Sequence, residues 1–229
     1  MGAGQGERAR RGAGSGRGGQ DLPGAGSGQG RRRGSVPERL TWAVRNLDLA
    51  PADRVLEIGC GRGVAVALVC ERLTSGTVTA IDRSGTAMEA ARRRNAESVA
   101  ASRAVFQRSS LEEADFPAAA FDKIFAVDVN LFWVHAPASL PDAGLRAVLA
   151  DLRGWLAPAG VLCLCWEPPE GRGVEEIAGK VEPVLATHGF VTEVRVGATS
   201  AGRGLLCVRA GARGSAGEGQ AGGRGLGEA

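Results

Sequence analysis

Between residues 35 and 210 the spacing of apolar positions switches repeatedly, and each switch marks an element. Leu40, Ala43, Val44 and Leu47 recur at helical spacing after Ser35-Val-Pro-Glu38, which has the spacing of a capping box. A helix should therefore open this region and stop before the turn at Pro51-Ala-Asp53. Residues 54–58 are an apolar run closed by glycines, which predicts a strand, with a helix over 63–73 behind it. A second strand is expected over 76–82, then a long Ala/Arg-rich helix over 85–100 and a short third strand over 104–107. Residues 121–130 are nearly continuous in apolar side chains, as in a strand covered by helices on both faces.

Leu145, Val148, Leu149, Leu152, Trp155 and Leu156 keep the i, i+3, i+4, i+7 pattern, and Pro158 and Gly160 should end that helix. A fifth strand over 161–166 and a helix over 174–187 follow, kinked by Pro183 unless it begins there. Runs over 190–196 and 205–209, joined by a Gly/Ser-rich loop, suit an antiparallel hairpin. The alternation predicts an α/β fold: a doubly wound, Rossmann-like, mostly parallel sheet with a C-terminal antiparallel hairpin. Ligands in such sheets sit beyond the carboxyl ends of the strands.

Composition limits this domain to about residues 35–210. Residues 1–34 hold 13 of the 36 glycines and seven arginines against two acids, and 211–229 are similarly poor in apolar side chains. Such stretches cannot offset the entropy of ordering themselves, so both are expected to be disordered tails. The overall charge of +3 then belongs to the N-terminal arm, and the domain itself is left about two charges negative. An arginine-rich arm can touch RNA by counterion release, or simply be a solvated extension. Cys70, Cys163, Cys165 and Cys207 lie in apolar runs, where cysteine is usually a small buried hydrophobe. With only His135 and His188 in the chain, no metal site is expected. No secretory signal or membrane-length apolar run is visible, so the cytoplasm is the expected location.

The chemistry gathers at Val-Leu-Glu-Ile-Gly-Cys-Gly-Arg-Gly, residues 55–63, where a strand runs into three glycines spaced two apart. Glycine is needed where backbone approaches a ligand closely or takes a positive φ, and the next helix points free N–H groups at the turn. A plain strand-to-helix turn is the other reading. Dinucleotide enzymes want a small residue at position 64, where Val64 stands, which weakens a pyrophosphate reading. Acids close the strands: Glu57 lies two residues before Gly59, and Asp82 ends strand two.

These residues resemble the class I S-adenosylmethionine-dependent methyltransferases from about Val36 to Arg209. Residues 55–63 resemble that family's first motif, which passes under the methionine part of the cofactor, and Asp82 matches the acid that binds both ribose hydroxyls. Ser109-Ser110-Leu111, with Phe116-Pro117 and Phe121-Asp122 downstream, looks like the loop that edges the adenine. Leu156-Ala-Pro-Ala-Gly160 resembles the family's Leu-x-Pro-Gly-Gly turn. Ser110 stands where many relatives carry Asp, and Asp128-Val-Asn130 replaces the signatures of amino-directed nucleic-acid methyltransferases, which disfavours DNA base methylation.

The resemblance implies S-adenosylmethionine as cofactor, held by Glu57, Gly59, Cys60, Gly61, Gly63, Asp82, Arg83, Ser110, Leu111 and Asp128, with Cys60 a small filler of the turn. Asp128, Asn130 and His135 are expected on the acceptor side, where a histidine base would assist O-methylation. Phe132 and Trp133 either line the acceptor pocket or seal the core. The helix around Trp42 and the loop over 129–140 should choose a small-molecule acceptor. A non-catalytic cofactor-binding module, an RNA methyltransferase aided by the arginine arm, and a nicotinamide-dependent oxidoreductase remain as alternatives.

Overall fold

Buried strands sit side by side here because helices cover both of their faces. The structure, a computed structural model, describes residues 35–134 and 143–212. The expected disordered tails lie outside the described residues, except for 211 and 212, which continue the last strand. Seven strands form one sheet in the order β3-β2-β1-β4-β5-β7-β6. β1 (Arg54–Ile58), β2 (Thr77–Asp82), β3 (Ala104–Arg108), β4 (Phe121–Val127) and β5 (Leu156–Trp166) run parallel. β7 (Gly204–Ala212) pairs antiparallel with both β5 and β6 (Phe190–Ala198), which makes the terminal hairpin.

Alternate residues of each strand face different helix layers. Val55, Val78, Phe125, Cys163, Cys165 and Cys207 pack with α1 (Glu38–Asn46), α2 (Val64–Cys70) and α3 (Gly85–Arg94). Leu56, Ile81, Ile124, Leu162 and Leu164 pack on the opposite side with α6 (Ala143–Trp155) and α7 (Val174–Thr187). β1 is buried at four consecutive positions, which explains its unbroken apolar run.

Several boundaries moved for identifiable reasons. The capping box at α1 does not form: Pro37 is the N-cap without a side-chain bond, and the Glu38 carboxylate instead accepts from the amide and hydroxyl of Ser200. The helix expected over 85–100 is divided at Asn95 into α3 and α4 (Ala96–Ala100). There the Asn95 amide donates to Ala91 O and Gly63 O, both at 2.9 Å, tying the break to the glycine turn. β4 stops at Val127 rather than Asn130 because Asp128 takes φ +56°, and a short α5 (Leu131–Val134) follows. The Leu-Ala-Pro-Ala-Gly stretch is drawn into β5, where the register with β4 shifts between Phe121 and Lys123. α7 carries Pro183 inside it rather than starting there. His188 caps α7, its Nδ1 donating to Val184 O at 2.8 Å.

Candidate active site

The glycine turn is built by β2 as much as by its own sequence. Past the end of β1, the amides of Gly59 and Cys60 both donate to Ile81 O, at 2.9 and 3.1 Å, and Gly61 N donates to Asp82 Oδ2 at 2.8 Å. The other Asp82 oxygen accepts from Ser84 N at 2.8 Å. Asp82 thus clamps the turn while each carboxylate oxygen keeps further lone-pair capacity.

The three glycines have different reasons to be glycine. All are left-handed, at φ +71°, +51° and +69° for Gly59, Gly61 and Gly63. A Cβ on Gly59 would lie 3.0 Å from Val129 Cγ2, and one on Gly63 would lie 2.7 Å from Asn95 Nδ2 and 2.9 Å from Ala91 Cβ. A Cβ on Gly61 would meet nothing within 4 Å. Gly63 therefore serves helix packing, and Gly61 faces open space. The Cys60 side chain points away from that space, its Sγ 3.6 Å from Met88 Sδ, and burial pushes its thiol pKa up.

Beside the turn, a cleft of about 540 Å³ runs along the carboxyl ends of β1, β2 and β4. Ile58, Gly59, Asp82, Arg83, Ser110, Leu111, Glu112, Asp128 and Asn130 are among its lining. Ser110 Oγ donates to Glu113 Oε2 at 3.0 Å, a partner the sequence did not single out. Phe116 and Phe121, expected near the adenine loop, instead stack edge-on with each other, and Phe116 does so on Trp155. Asp122 lies at the amino end of β4, away from the cleft, gripping the Arg54 guanidinium at 2.9 and 3.0 Å, which holds its carboxyl below the usual range.

Glu57 lies under the turn, 3% exposed, with Oε2 lacking any hydrogen-bond partner. Burial first, and the charge of Asp82 second, raise its pKa to about 8, against which a hydrogen bond from the Val66 amide acts. Asp82, in the lining, keeps lone pairs to spare for two hydroxyls of an adenosine-bearing ligand, so the residues present fit S-adenosylmethionine, whereas the orphaned Glu57 oxygen lies outside the lining.

A second chamber of about 740 Å³ opens between the start of α1, the segment after β5 and the β6–β7 turn. It is lined by Arg39, Asp128, residues 167–174, Arg203 and Gly204. Asp128 is common to the lining of both chambers. Its Oδ1 accepts from Glu167 N at 3.0 Å, and its Oδ2 lies 2.7 Å from Arg39 Nε. Burial raises its pKa, opposed by the Glu167 amide and by Arg39. Trp42, expected to choose the acceptor, packs its ring on Gly197 instead. Phe132 and Trp133 are buried in the core at 2% and 7% exposure, with Arg172 seated over the Trp133 ring. His135 lies outside the described residues. Arg39, Glu167 and Arg203 escaped the sequence reading, although Glu167 carried the same signal as Asp82, an acid at the carboxyl end of a parallel strand.

Residues 55–160 match a family model described as a methyltransferase domain. A comparison with curated protein sequences finds no match. Among solved structures the chain is similar to an S-adenosylmethionine-dependent methyltransferase from Aquifex aeolicus, at 19% identity and TM-score 0.58, covering 75% of this chain and 88% of that one. It is similar to geranyl diphosphate methyltransferase in complex with S-adenosylmethionine, at 14% identity and TM-score 0.57, covering 76% and 84%. The cyclase SpnF shares the fold at 14% identity and TM-score 0.58, covering 76% and 80%. At such identities the structural likeness speaks for the fold, and the presence of a cyclase underlines that a fold alone does not dictate a reaction. The likeness to a methyltransferase therefore rests on the domain matched over residues 55–160, and S-adenosylmethionine as cofactor rests on that match taken together with the solved methyltransferases of the same fold.

Proposed function

We propose that this S-adenosylmethionine-dependent methyltransferase seats its cofactor in the cleft from Ile58 to Leu131 and methylates a small-molecule acceptor lying in the chamber beyond Asp128. The observation that carries the reading is the pairing of Gly61, open and left-handed, with the Asp82 carboxylate that clamps it. In this reading Asp82 accepts the two ribose hydroxyls with its remaining lone pairs. The amides and carbonyls of 109–112 edge the adenine, and the glycine turn passes under the methionine part. Glu57 supports that turn from beneath rather than from the cleft wall.

Bound there, the cofactor supplies a methyl group already activated on a cationic sulfur. An acceptor that took up this methyl group would have to lose any proton on its attacking atom. The protein's work is to align donor and acceptor and to exclude water. In this reading Asp128, common to the linings of both chambers, receives that proton, and Asn130, in the lining of the cofactor cleft, orients the acceptor. No helix among the described residues is long and apolar enough to cross a membrane, and with buried free cysteines we assign the protein to the cytoplasm.

Calorimetric titration with S-adenosylmethionine and with a nicotinamide dinucleotide tests the cofactor site. Binding of the dinucleotide in place of S-adenosylmethionine would overturn this reading. The seven arginines of residues 1–34 favour a second reading, an RNA acceptor steered by that arm. It requires salt-sensitive RNA affinity that disappears when residues 1–34 are deleted.

A further inference from the structure

We infer that the chamber beyond Asp128 recognises an acceptor carrying a carboxylate or phosphate group, and that Arg39 and Arg203 are the residues that hold it. The inference rests on the reading that the acceptor lies in this chamber. It adds the chemical class of the acceptor and the residues that select it.

The chamber's acids are already engaged, whereas its arginines have donors to spare. Both Asp128 oxygens have partners, one the Glu167 amide and the other the Arg39 guanidinium. The Glu167 side chain is 9% exposed, with Arg39 Nη1 3.9 Å from one oxygen and Arg203 Nη1 against the other. Glu170 is exposed on the rim.

A guanidinium carries five N–H donors. Arg39 spends its Nε on Asp128, at 2.7 Å, while its Nη1, 3.9 Å from Glu167, is beyond hydrogen-bond distance of that carboxylate. Arg203 is 67% exposed and meets Glu167 through Nη1 alone. Arg172, the third arginine of the lining, is occupied by Glu176 and by the face of Trp133. The unmet hydrogen-bonding capacity of the chamber is therefore donor capacity, the complement of a planar or tetrahedral oxyanion.

The donors are also held in place before any ligand arrives. Arg203 sits in a β6–β7 turn whose backbone is fixed by Thr199: Thr199 N donates to Arg203 O at 2.8 Å and Arg203 N to Thr199 Oγ1 at 3.0 Å. The neighbouring Ser200 is clasped by Glu38, one residue before Arg39. That clasp joins the two arginine-bearing segments, and Glu167 sits between both guanidiniums as a positioning residue. An acceptor anchored at Arg203 would extend towards Asp128, bringing its nucleophile to the border with the cofactor cleft.

The test is a calorimetric titration of the full chain at low ionic strength, with four probes of similar size: benzoate, phenyl phosphate, benzylamine and benzyl alcohol. Both anions, or one of them, should bind at least about tenfold tighter than the amine and the alcohol. Arg203→Ala should weaken that binding about tenfold, and Arg203→Glu should turn the preference towards benzylamine. Whichever anion binds more tightly assigns the acceptor to carboxylates or to phosphates. Absence of anion binding, binding no tighter than that of benzyl alcohol, or anion affinity unchanged in both Arg203 variants overturns the inference. S-adenosylmethionine titrated into the same samples reads the cofactor cleft separately, so its failure to bind counts against the proposed function and not against the anion site.

Discussion

Asp82 joins two backbone amides at 2.8 Å to a carboxylate that faces the cleft, so its loss should act on stability and on binding together. If Asp82 accepts both ribose hydroxyls as proposed, Asp82→Ala is expected to weaken S-adenosylmethionine by roughly 2–4 kcal/mol, measured by calorimetry on the folded variant. Unchanged affinity would show that the acid is only a clamp. Glu57 is the opposite case, a carboxyl the fold keeps neutral. Its folded pKa of about 8 lies above the ordinary 4.5, so its contribution to stability is complete below pH 4.5 and is lost as pH rises towards 8. Glu57→Gln should remove that loss, retaining up to several kcal/mol at pH 8 that the parent gives up, as denaturant unfolding at pH 5 and pH 8 would reveal. Parallel pH profiles for parent and variant would show that Glu57 is not the group responsible.

At the scale of elements, the spacing of glycines made the turn legible, but it did not separate their tasks. Gly61→Val adds a branched side chain to a left-handed residue, in the open space in front of the turn. It should abolish cofactor binding, with a stability cost of about 1–3 kcal/mol. Gly63→Ala pushes a methyl group into Asn95 and Ala91, so it should destabilise the α2–α3 contact while cofactor affinity in the folded fraction changes little. Thermal melts and calorimetry on the two variants would distinguish these outcomes, and equal effects of both on binding would refute the division of labour. Asn95 itself was hidden within a helical stretch. Its role depends on the carbonyl of Gly63, 32 residues away, which no local pattern records.

For the whole molecule, the chain ends can be weighed against the sheet. Ala212 pairs with Phe190 in β7, so the domain runs to residue 212 and a cut at 210 would remove ladder partners. Residues 1–34 and 213–229 offer almost no large apolar side chains to bury. A chain of residues 35–212 is therefore expected to melt within a few degrees of the full chain and to bind S-adenosylmethionine equally well. A loss of cofactor affinity on trimming would place one of the ends over the site.

The strands, their buried character and the position of the glycine turn followed from sequence because each is a local property. Burial on both faces requires an unbroken apolar run, and close backbone approach requires glycine. β1 was anticipated over its whole length for that reason. What depends on distant partners needed the tertiary structure. The capping-box spacing at Ser35 gave way to a clasp between Glu38 and Ser200, 162 residues apart. The arginine chamber joins the start of α1, the end of β5 and the β6–β7 turn, three segments that only the order of the sheet brings together. Glu57 and Asp82 were both visible as acids, but that one is neutral and buried and the other a solvated clamp was decided by the helices and strands that close over them.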